Sequence, residues 1–226
     1  MTSKDFIKRL ITSAILIFLL GLSFNYLFIL IISLIIVSII SWIEFKGLNS
    51  KIFKKKNKKH IFYKLFSNIL CLFYLIIFSL IIFFSISQDD FKLVILFLFC
   101  ICICSDIGGL LFGKLFKGKK LTKISPNKTI SGSIGSFILS LILVPIFYKY
   151  LKFQLINLYD LILFVIIISF LCQIGDLFIS FLKRKAKVKD TSNILPGHGG
   201  LLDRIDGMLL AIPFGIIIFN FFTFTI

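Results

Sequence analysis

The sequence predicts an all-α fold, a polytopic bundle of about seven transmembrane helices with its N-terminus inside and its C-terminus outside. Three observations support this. The 226-residue chain is 58% hydrophobic with a mean hydropathy of +1.05, which lies far outside the composition of soluble domains. Apolar runs near the length of about 20 residues that a bilayer crossing needs recur along the whole chain. Lysines and arginines concentrate in alternate connections between these runs, as they do in cytoplasmic loops.

The apolar runs predict seven spans within one integral membrane domain, residues 1–226. Residues 1–92 contribute the N-terminal spans and a basic loop, and residues 93–226 contribute the spans that carry the polar motifs. The first span is barely long enough to cross. The predicted spans are residues 7–22, 25–43, 65–86, 93–113, 129–148, 157–181 and 205–225.

The net charge of +16 is distributed unevenly over these spans. All but three of the 26 lysines and arginines fall on the N-terminal side of the bundle, the exceptions being Lys92, Lys149 and Lys152. The positive-inside rule places that side in the cytoplasm. This pattern explains the charge by topology and argues against nucleic acid as a partner.

The second span ends in a polar stretch. Glu44 follows Trp42, in a position typical of interfacial anchoring. The basic run at residues 51–60 then predicts a solvated topogenic loop. The same run would attract anionic lipid headgroups, an effect worth about 1 kcal/mol per cation near the surface.

The fourth span ends in a first polar block with Asp106 and glycines at 108, 109 and 113. Glycine costs about 1 kcal/mol in a helix interior, but it is retained in membranes where helices approach closely. The spacing therefore favours either close helix packing or a site. Asp106, one turn inside the membrane, needs a partner or a metal.

A lysine-rich loop follows and predicts a phosphate site. Ser125 precedes a proline and is therefore biased away from helix, so the next helix is expected to start near Thr129. A helix N-terminus flanked by Ser125, Lys128 and Thr129 is a natural site for phosphate. The alternative is an ordinary capped helix start.

The second polar block holds most of the candidate chemistry. Asp176 and Ser180 are four residues apart and share a helix face, as do Asp203 and Asp206, three apart, if the last helix begins by Leu201. Carboxylates beside cations suit a divalent metal that handles a polyphosphate. The alternative is intramembrane ion pairing. It would pair Asp176, Asp203 and Asp206 with Lys183, Arg184 and Arg204.

Both blocks resemble the signature of phosphatidate cytidylyltransferases (CDP-diacylglycerol synthases). The second block carries the resemblance in Ser180, Lys183-Arg184, Lys189-Asp190, the Pro-Gly-His-Gly-Gly run at 196–200 and Asp203-Arg204-x-Asp206. The first block carries it in Asp106-Ile107-Gly108, Gly113-Lys114 and the Ser-Pro-Asn-Lys-Thr run at 125–129. The chain departs from the family pattern at Ser131, where an acidic residue is common, and at Gly109-Leu110, which replaces an Ala-Tyr pair.

The resemblance implies a nucleotidyltransferase of phospholipid biosynthesis that converts CTP and phosphatidic acid into CDP-diacylglycerol and pyrophosphate. It further implies Mg²⁺ as cofactor, with a monovalent cation as a second candidate, and a homodimer. The implied location is the bacterial inner membrane, with the active site facing the cytoplasm.

The resemblance and the charge pattern together assign roles to individual residues. His198 is expected to contact phosphate or nucleotide rather than act as a base. The expected catalytic residues are Asp176, Lys183, Arg184, Asp203 and Asp206. The expected metal ligands are Asp176, Ser180, Asp203 and Asp206. The expected substrate- or phosphate-binding residues are Asp106, Lys114, Ser125, Lys128, Thr129, Lys189, His198 and Arg204.

Two other functions compete with this interpretation. Another membrane CTP-dependent lipid enzyme, such as a polyprenol kinase, would transfer a γ-phosphate instead. A cation-coupled transporter would place acidic groups or broken helices at mid-membrane in corresponding halves. Here the polar groups cluster at one edge of the spans and no internal repeat occurs.

Overall fold

The computed structural model describes residues 3–54, 57–122, 125, 128–151, 157–195 and 199–224. Over these residues the chain forms eight α-helices and two isolated β-bridges, and no β-strand. The helices are α1 (Ser3–Asn25), α2 (Leu27–Ile52), α3 (Lys58–Ser87), α4 (Asp89–Phe116), α5 (Ile130–Leu141), α6 (Leu143–Leu151), α7 (Leu158–Lys185) and α8 (Leu202–Phe224).

The predicted fold class is confirmed. The described residues include six helical segments that are long and apolar enough to cross a membrane, and a shorter apolar segment, Ile11–Asn25, matches the first predicted span. The six are Leu27–Ile52, Lys58–Ser87, Phe91–Phe116, Ile130–Leu151, Leu158–Lys185 and Leu202–Phe222.

Two details differ from the predicted spans. Helix α2 continues to Ile52, beyond the predicted end at residue 43, and this extension includes the good helix formers Glu44, Lys46 and Leu48. The fifth span divides into α5 and α6 around Ile142. Pro145 has no N–H to donate to the carbonyl of Leu141, so the helical pattern is interrupted there.

The chain divides into two compact units, each described separately below. The first comprises Met1–Ser87 and Leu182–Ile205, and the second comprises Gln88–Phe181 and Asp206–Ile226. The predicted subdivision at residues 92 and 93 stays a prediction.

In the first unit, polar side chains join neighbouring apolar helices. Ser38 and Ser79 link α2 to α3 through hydroxyls 2.7 Å apart. The Asn49 amide of α2 donates to Asn68 Oδ1 of α3 at 2.7 Å, and Trp42 Nε1 donates to the Asn68 carbonyl at 3.2 Å. Such bonds between helices are favourable where water is absent.

The second unit has a close glycine contact and an aromatic core. A Cβ on Gly132 of α5 would lie 2.7 Å from the carbonyl oxygen of Gly109 of α4. A side chain at Gly132 would not fit this approach, and such close packing of α4 on α5 is one of the two interpretations that the α4 glycine spacing leaves open. Elsewhere in this unit Phe97 packs against Phe147 and Phe164, with ring centroids 4.5 Å and 6.1 Å away.

Candidate functional site

In the first unit, the loop between α7 and α8 is fixed at its beginning by a helix cap. This segment, residues 186–201, is called the α7–α8 loop. Val188 N–H donates to the Lys183 carbonyl and Lys187 N–H donates to the Arg184 carbonyl, each at 3.0 Å. Lys187 has the left-handed φ of 55° that such a helix-ending motif uses. The chain therefore leaves α7 in a defined direction.

Asp203, in the first turn of α8, holds the α7–α8 loop from the other end. Its Oδ2 accepts hydrogen bonds from Thr191 N–H at 2.8 Å, Thr191 Oγ1 at 2.9 Å and Gly200 N–H at 3.2 Å. Its Oδ1 pairs with Lys183 Nζ of α7 at 2.7 Å. Only 6% of the Asp203 side chain is exposed, so the loop and α7 satisfy this carboxylate almost completely.

Glu44 of α2 holds the same loop as a second buried carboxylate. Its Oε1 accepts from Ser192 Oγ at 2.5 Å and Leu201 N–H at 3.0 Å. Its Oε2 accepts from Leu202 N–H at 2.7 Å and contacts Thr191 Oγ1 at 3.0 Å. The interfacial anchor expected at Glu44 is in fact a buried group that organises the loop.

The loop closes on itself near its end, where Leu195 N–H donates to the Gly199 carbonyl at 2.9 Å. Gly199 adopts a φ of +83°, which side-chain-bearing residues rarely adopt. His198, expected to contact phosphate or nucleotide, lies outside the described residues. The expected role of His198 therefore stays a prediction.

In the second unit, Asp176 of α7 forms an ion pair with Lys128, which precedes α5. Ser180 lies one turn further along α7, with its Oγ 3.5 Å from Asp176 Oδ1, as the four-residue spacing predicts. The side chains of Lys128 and Asp176 are 24% and 29% exposed. This carboxylate is thus held mainly by one cation and remains open to solvent.

The loop before α5 folds back on itself and delivers Lys128 to this position. Leu121 N–H donates to the Lys128 carbonyl at 2.8 Å, and Ile130 N–H donates to the Lys119 carbonyl at 2.9 Å. Thr129 is the N-cap of α5, and its Oγ1 accepts from Gly132 N–H at 3.1 Å. The predicted helix start near Thr129 is confirmed.

The positions that depart from the family pattern have structural contacts. Ser131 Oγ accepts from Gly118 N–H at 3.2 Å and lies 3.0 Å from Thr129 Oγ1, so it ties the loop to the start of α5. A Cβ on Gly109 would lie 3.0 Å from Ser136 Oγ, which favours a small residue there.

Asp106 and Asp206 approach α7 near Asp176. Cys172 Sγ of α7 lies 3.9 Å from Asp106 Oδ1. A Cβ on Gly175 would lie 2.5 Å from the Asp206 carbonyl oxygen, so α8 crosses α7 at the residue before Asp176. Asp206 is 8% exposed, and its Oδ1 accepts from Gly207 N–H at 3.0 Å. The second unit therefore brings three predicted carboxylates to one stretch of α7.

The remaining predicted site residues differ in exposure. Ser125 is buried, with its carbonyl accepting from Lys128 N–H at 3.1 Å. The other predicted cations are exposed: Lys114, Arg184, Lys189 and Arg204. Charged groups at the ends of apolar helices are available to phosphate groups that arrive from solvent.

The predicted metal site is tested by its donor set. In the described part of the chain, no group of three or more His, Cys, Asp or Glu side chains is arranged to hold a metal. Mg²⁺, however, commonly takes one or two carboxylates and completes its octahedron with phosphates and water. Asp176 and Ser180 supply a carboxylate and a hydroxyl side by side. These two donors fit that mode of binding.

Sequence reasoning missed Glu44, Thr191 and the Ser133–Gln173 pair. Ser133 Oγ of α5 donates to Gln173 Oε1 of α7 at 2.5 Å. Gln173 lies three residues before Asp176. Glu44 is the only glutamate in the sequence, and a lone acidic group at the end of an apolar run was the available signal. Its partners lie about 150 residues away in sequence, where local patterns give no information.

The apolar helices and their polar ends define a polytopic integral membrane protein whose carboxylates are held by lysines and by loop amides. A sequence model of the Cytidylyltransferase family matches residues 1–222. The chain therefore belongs to the cytidylyltransferase family.

Similar proteins include three that are named phosphatidate cytidylyltransferase. The protein from Rickettsia typhi is 41% identical over 150 residues, which cover 62% of this chain and 65% of the relative. The protein from Staphylococcus haemolyticus is 42% identical over 132 residues, covering 58% and 50%. The protein from Bacillus subtilis is 42% identical over 130 residues, covering 57% and 48%. The matched part thus spans about half to two thirds of the length of these relatives.

Proposed function

We propose that this protein is a phosphatidate cytidylyltransferase that makes CDP-diacylglycerol and pyrophosphate from CTP and phosphatidate. The family match and the names of the relatives support the proposal. The structural observation that carries it is the Lys128–Asp176 pair beside the start of α5. A partly exposed cation and carboxylate next to a helix N-terminus suit a bound polyphosphate.

The reaction joins two anions. An oxygen of the phosphatidate phosphate attacks the α-phosphorus of CTP and forms a new P–O bond. The bond from the α-phosphorus to the oxygen that leads to the β-phosphate breaks, and pyrophosphate leaves with that electron pair. Such transfers depend mainly on positioning and charge neutralisation. The attacking phosphate already carries negative charge near neutral pH, so no strong general base is required.

The cations of this chain would supply the neutralisation. Lys128 and Lys183 each hold a carboxylate in the structure, and Lys128 would exchange that partner for a substrate phosphate oxygen, whereas Lys183 would keep Asp203. Arg184, Lys189 and Arg204 would hold the remaining phosphate oxygens. Arginine can do so in a bidentate manner.

We further propose Mg²⁺ as the cofactor. Asp176 and Ser180 would hold it, with Asp206 of the same unit as a further ligand. Asp203, the fourth predicted ligand, has both oxygens bonded to Lys183 and the α7–α8 loop within the first unit. When bound, the ion supplies positive charge to the transferring phosphoryl group. The protein's contribution is to orient these oxygens at the end of α7 and the start of α8.

Label transfer tests the proposed function. Purified protein in micelles with phosphatidate should move the label of α-³²P-CTP into lipid in the presence of Mg²⁺. The label of γ-³²P-CTP should leave as pyrophosphate. Transfer of the γ-label to a lipid would identify a kinase and overturn the proposal. Asp176→Asn should remove the α-label transfer, whereas Asp160→Asn, in the first turn of the same helix, should retain it.

The proposed location is the bacterial inner membrane with the polar loops in the cytoplasm, because the lysine-rich side of the bundle is expected to face inward. A cysteine probe should be placed at Asn193 of the α7–α8 loop, which is exposed, unlike the neighbouring Thr191. With the five native cysteines replaced, Asn193→Cys should react with an impermeant thiol reagent in inverted vesicles. Labelling of intact cells instead would reverse the topology.

A further inference from the structure

The feature that the proposed mechanism does not use is Glu44. It is 3% exposed, and its four partners are all neutral: two hydroxyls and two backbone amides. A buried carboxylate is costly unless it is fully hydrogen-bonded. This one is satisfied on both oxygens by a single segment of chain, the α7–α8 loop with the first residue of α8.

Two of the four partners belong to the start of α8. The N–H groups at a helix start have no partner within the helix, and Glu44 accepts from Leu202, the first residue of α8, and from Leu201 before it. A helix start is usually capped by a side chain next to it in sequence. Here the acceptor comes from α2, so α2 fixes where α8 begins.

The other contacts connect Glu44 to a predicted catalytic residue. Thr191 Oγ1 lies 3.0 Å from Glu44 Oε2 and 2.9 Å from Asp203 Oδ2. Thr191 N–H donates to the same Asp203 oxygen at 2.8 Å. Thr191 therefore bridges the two carboxylates, and a shift of the Glu44 side chain would move the partner that orients Asp203.

The Glu44 carboxylate has little free space around it. A Cβ on Gly200 would lie 2.8 Å from each Glu44 carboxylate oxygen. The loop backbone thus passes directly against the carboxylate. This close approach restricts both the loop and the side chain to one arrangement.

We propose that Glu44 is a positioning residue of the reaction, which sets the α7–α8 loop and, through Thr191, the orientation of Asp203. It does not touch substrate. The reaction itself rests on the proposed function, but the positioning of the loop can be measured without it. The N-terminal helices, which carry none of the signature motifs, would then be required for the geometry of the signature loop.

The test compares Glu44→Gln with Asn49→Ala in the full-length protein. Asn49 is also a buried polar residue of α2, but its amide bonds to α3 rather than to the loop. Glu44→Gln should accelerate trypsin cleavage at the exposed Lys185, Lys187 and Lys189, whereas Asn49→Ala should leave that rate unchanged. The kcat of folded Glu44→Gln should fall about 10- to 100-fold, the range for loss of an outer-shell partner. The KM for CTP should change far less than kcat.

Substitutions at Thr191 provide the second part of the test. Thr191→Ser keeps the bridging hydroxyl and should retain kcat. Thr191→Val should lower kcat. The effect on kcat of combining it with Glu44→Gln should be less than additive, because both substitutions disrupt the same contact between Thr191 and Glu44. Cleavage of Glu44→Gln at the wild-type rate would overturn the proposal, as would additive kcat effects. If the wild type shows no cytidylyltransferase activity, the proposed function fails, while the cleavage comparison still decides the role of Glu44.

Discussion

The two units hold their carboxylates in different ways. In the first unit, Glu44 is buried and the Asp203 side chain is only 6% exposed. Both accept hydrogen bonds from loop amides and hydroxyls, and Asp203 also pairs with Lys183. In the second unit, Asp176 is 29% exposed and pairs with one lysine. A carboxylate enclosed by backbone donors cannot change partner without unfolding its loop, whereas one held by a single flexible lysine can.

The enclosed carboxylates therefore serve the structure of the loop, whereas the accessible carboxylate is available to exchange its partner. The first unit uses its carboxylates to fix the α7–α8 loop and the start of α8. The second unit keeps Asp176 accessible at the point where Lys128 arrives from the loop before α5. We infer that a substrate phosphate displaces the Lys128–Asp176 pair more readily than the Lys183–Asp203 pair. Substitutions in each unit test this contrast.

Asp203→Asn should damage stability most. The substitution leaves Lys183, 13% exposed, without its carboxylate, and breaking a buried pair on one side costs about 3–5 kcal/mol. Thermal unfolding in micelles should show a strongly lowered Tm, and activity should fall with it. Membrane insertion should persist, because the apolar spans are unchanged. A Tm equal to that of the wild type would show that Asp203 does not hold the loop.

Asp176→Asn should damage activity most while sparing the fold. The Lys128–Asp176 pair is partly open to solvent, and ion pairs exposed to solvent contribute about 0–1 kcal/mol to stability. Loss of one preorganised group that stabilises transition-state charge typically costs about 10²–10³ in rate. The initial rate of CDP-diacylglycerol formation measures the effect, with Asp160→Asn as the control. Near-wild-type turnover in a folded variant would remove Asp176 from the site.

The contrast between the units was only partly predictable. The helices, the start of α5 at Thr129 and the Asp176–Ser180 face follow from apolar length, the Ser-Pro boundary and four-residue spacing, which are all local. The Lys128–Asp176 and Glu44–Thr191 contacts join residues far apart in sequence, and helix packing decides them. The burial of Glu44 against the α7–α8 loop was not predicted for that reason.

Gly200→Ala should have an intermediate effect confined to the first unit. The added methyl would overlap Thr191 Oγ1 and press on both Glu44 oxygens, and overpacking typically costs about 1–3 kcal/mol. The Tm should fall by less than in Asp203→Asn, and trypsin should cleave the α7–α8 loop faster. Combining Gly200→Ala with Thr191→Ala, which removes the hydroxyl nearest the added methyl, should recover part of the loss. No recovery would place the strain elsewhere.

Replacement of the lysines that follow α2 and begin α3 should have the smallest effect. Lys54, Lys58 and Lys59 belong to neither carboxylate site, and we expect them to serve topology and lipid attraction. Their combined change to glutamine should leave the rate in neutral micelles within a few-fold of wild type. A large loss there, with topology preserved, would bring this loop into the active site.

The central claim is that Asp176 exchanges its lysine for the nucleotide complex while the first unit stays fixed. The rise in Tm caused by CTP with Mg²⁺ tests it directly, because a ligand that binds only the folded state raises stability. The wild type should show a rise that grows with CTP concentration. Asp176→Asn should have a near-wild-type Tm without ligand and lose most of that rise. An undiminished rise in Asp176→Asn would contradict the account.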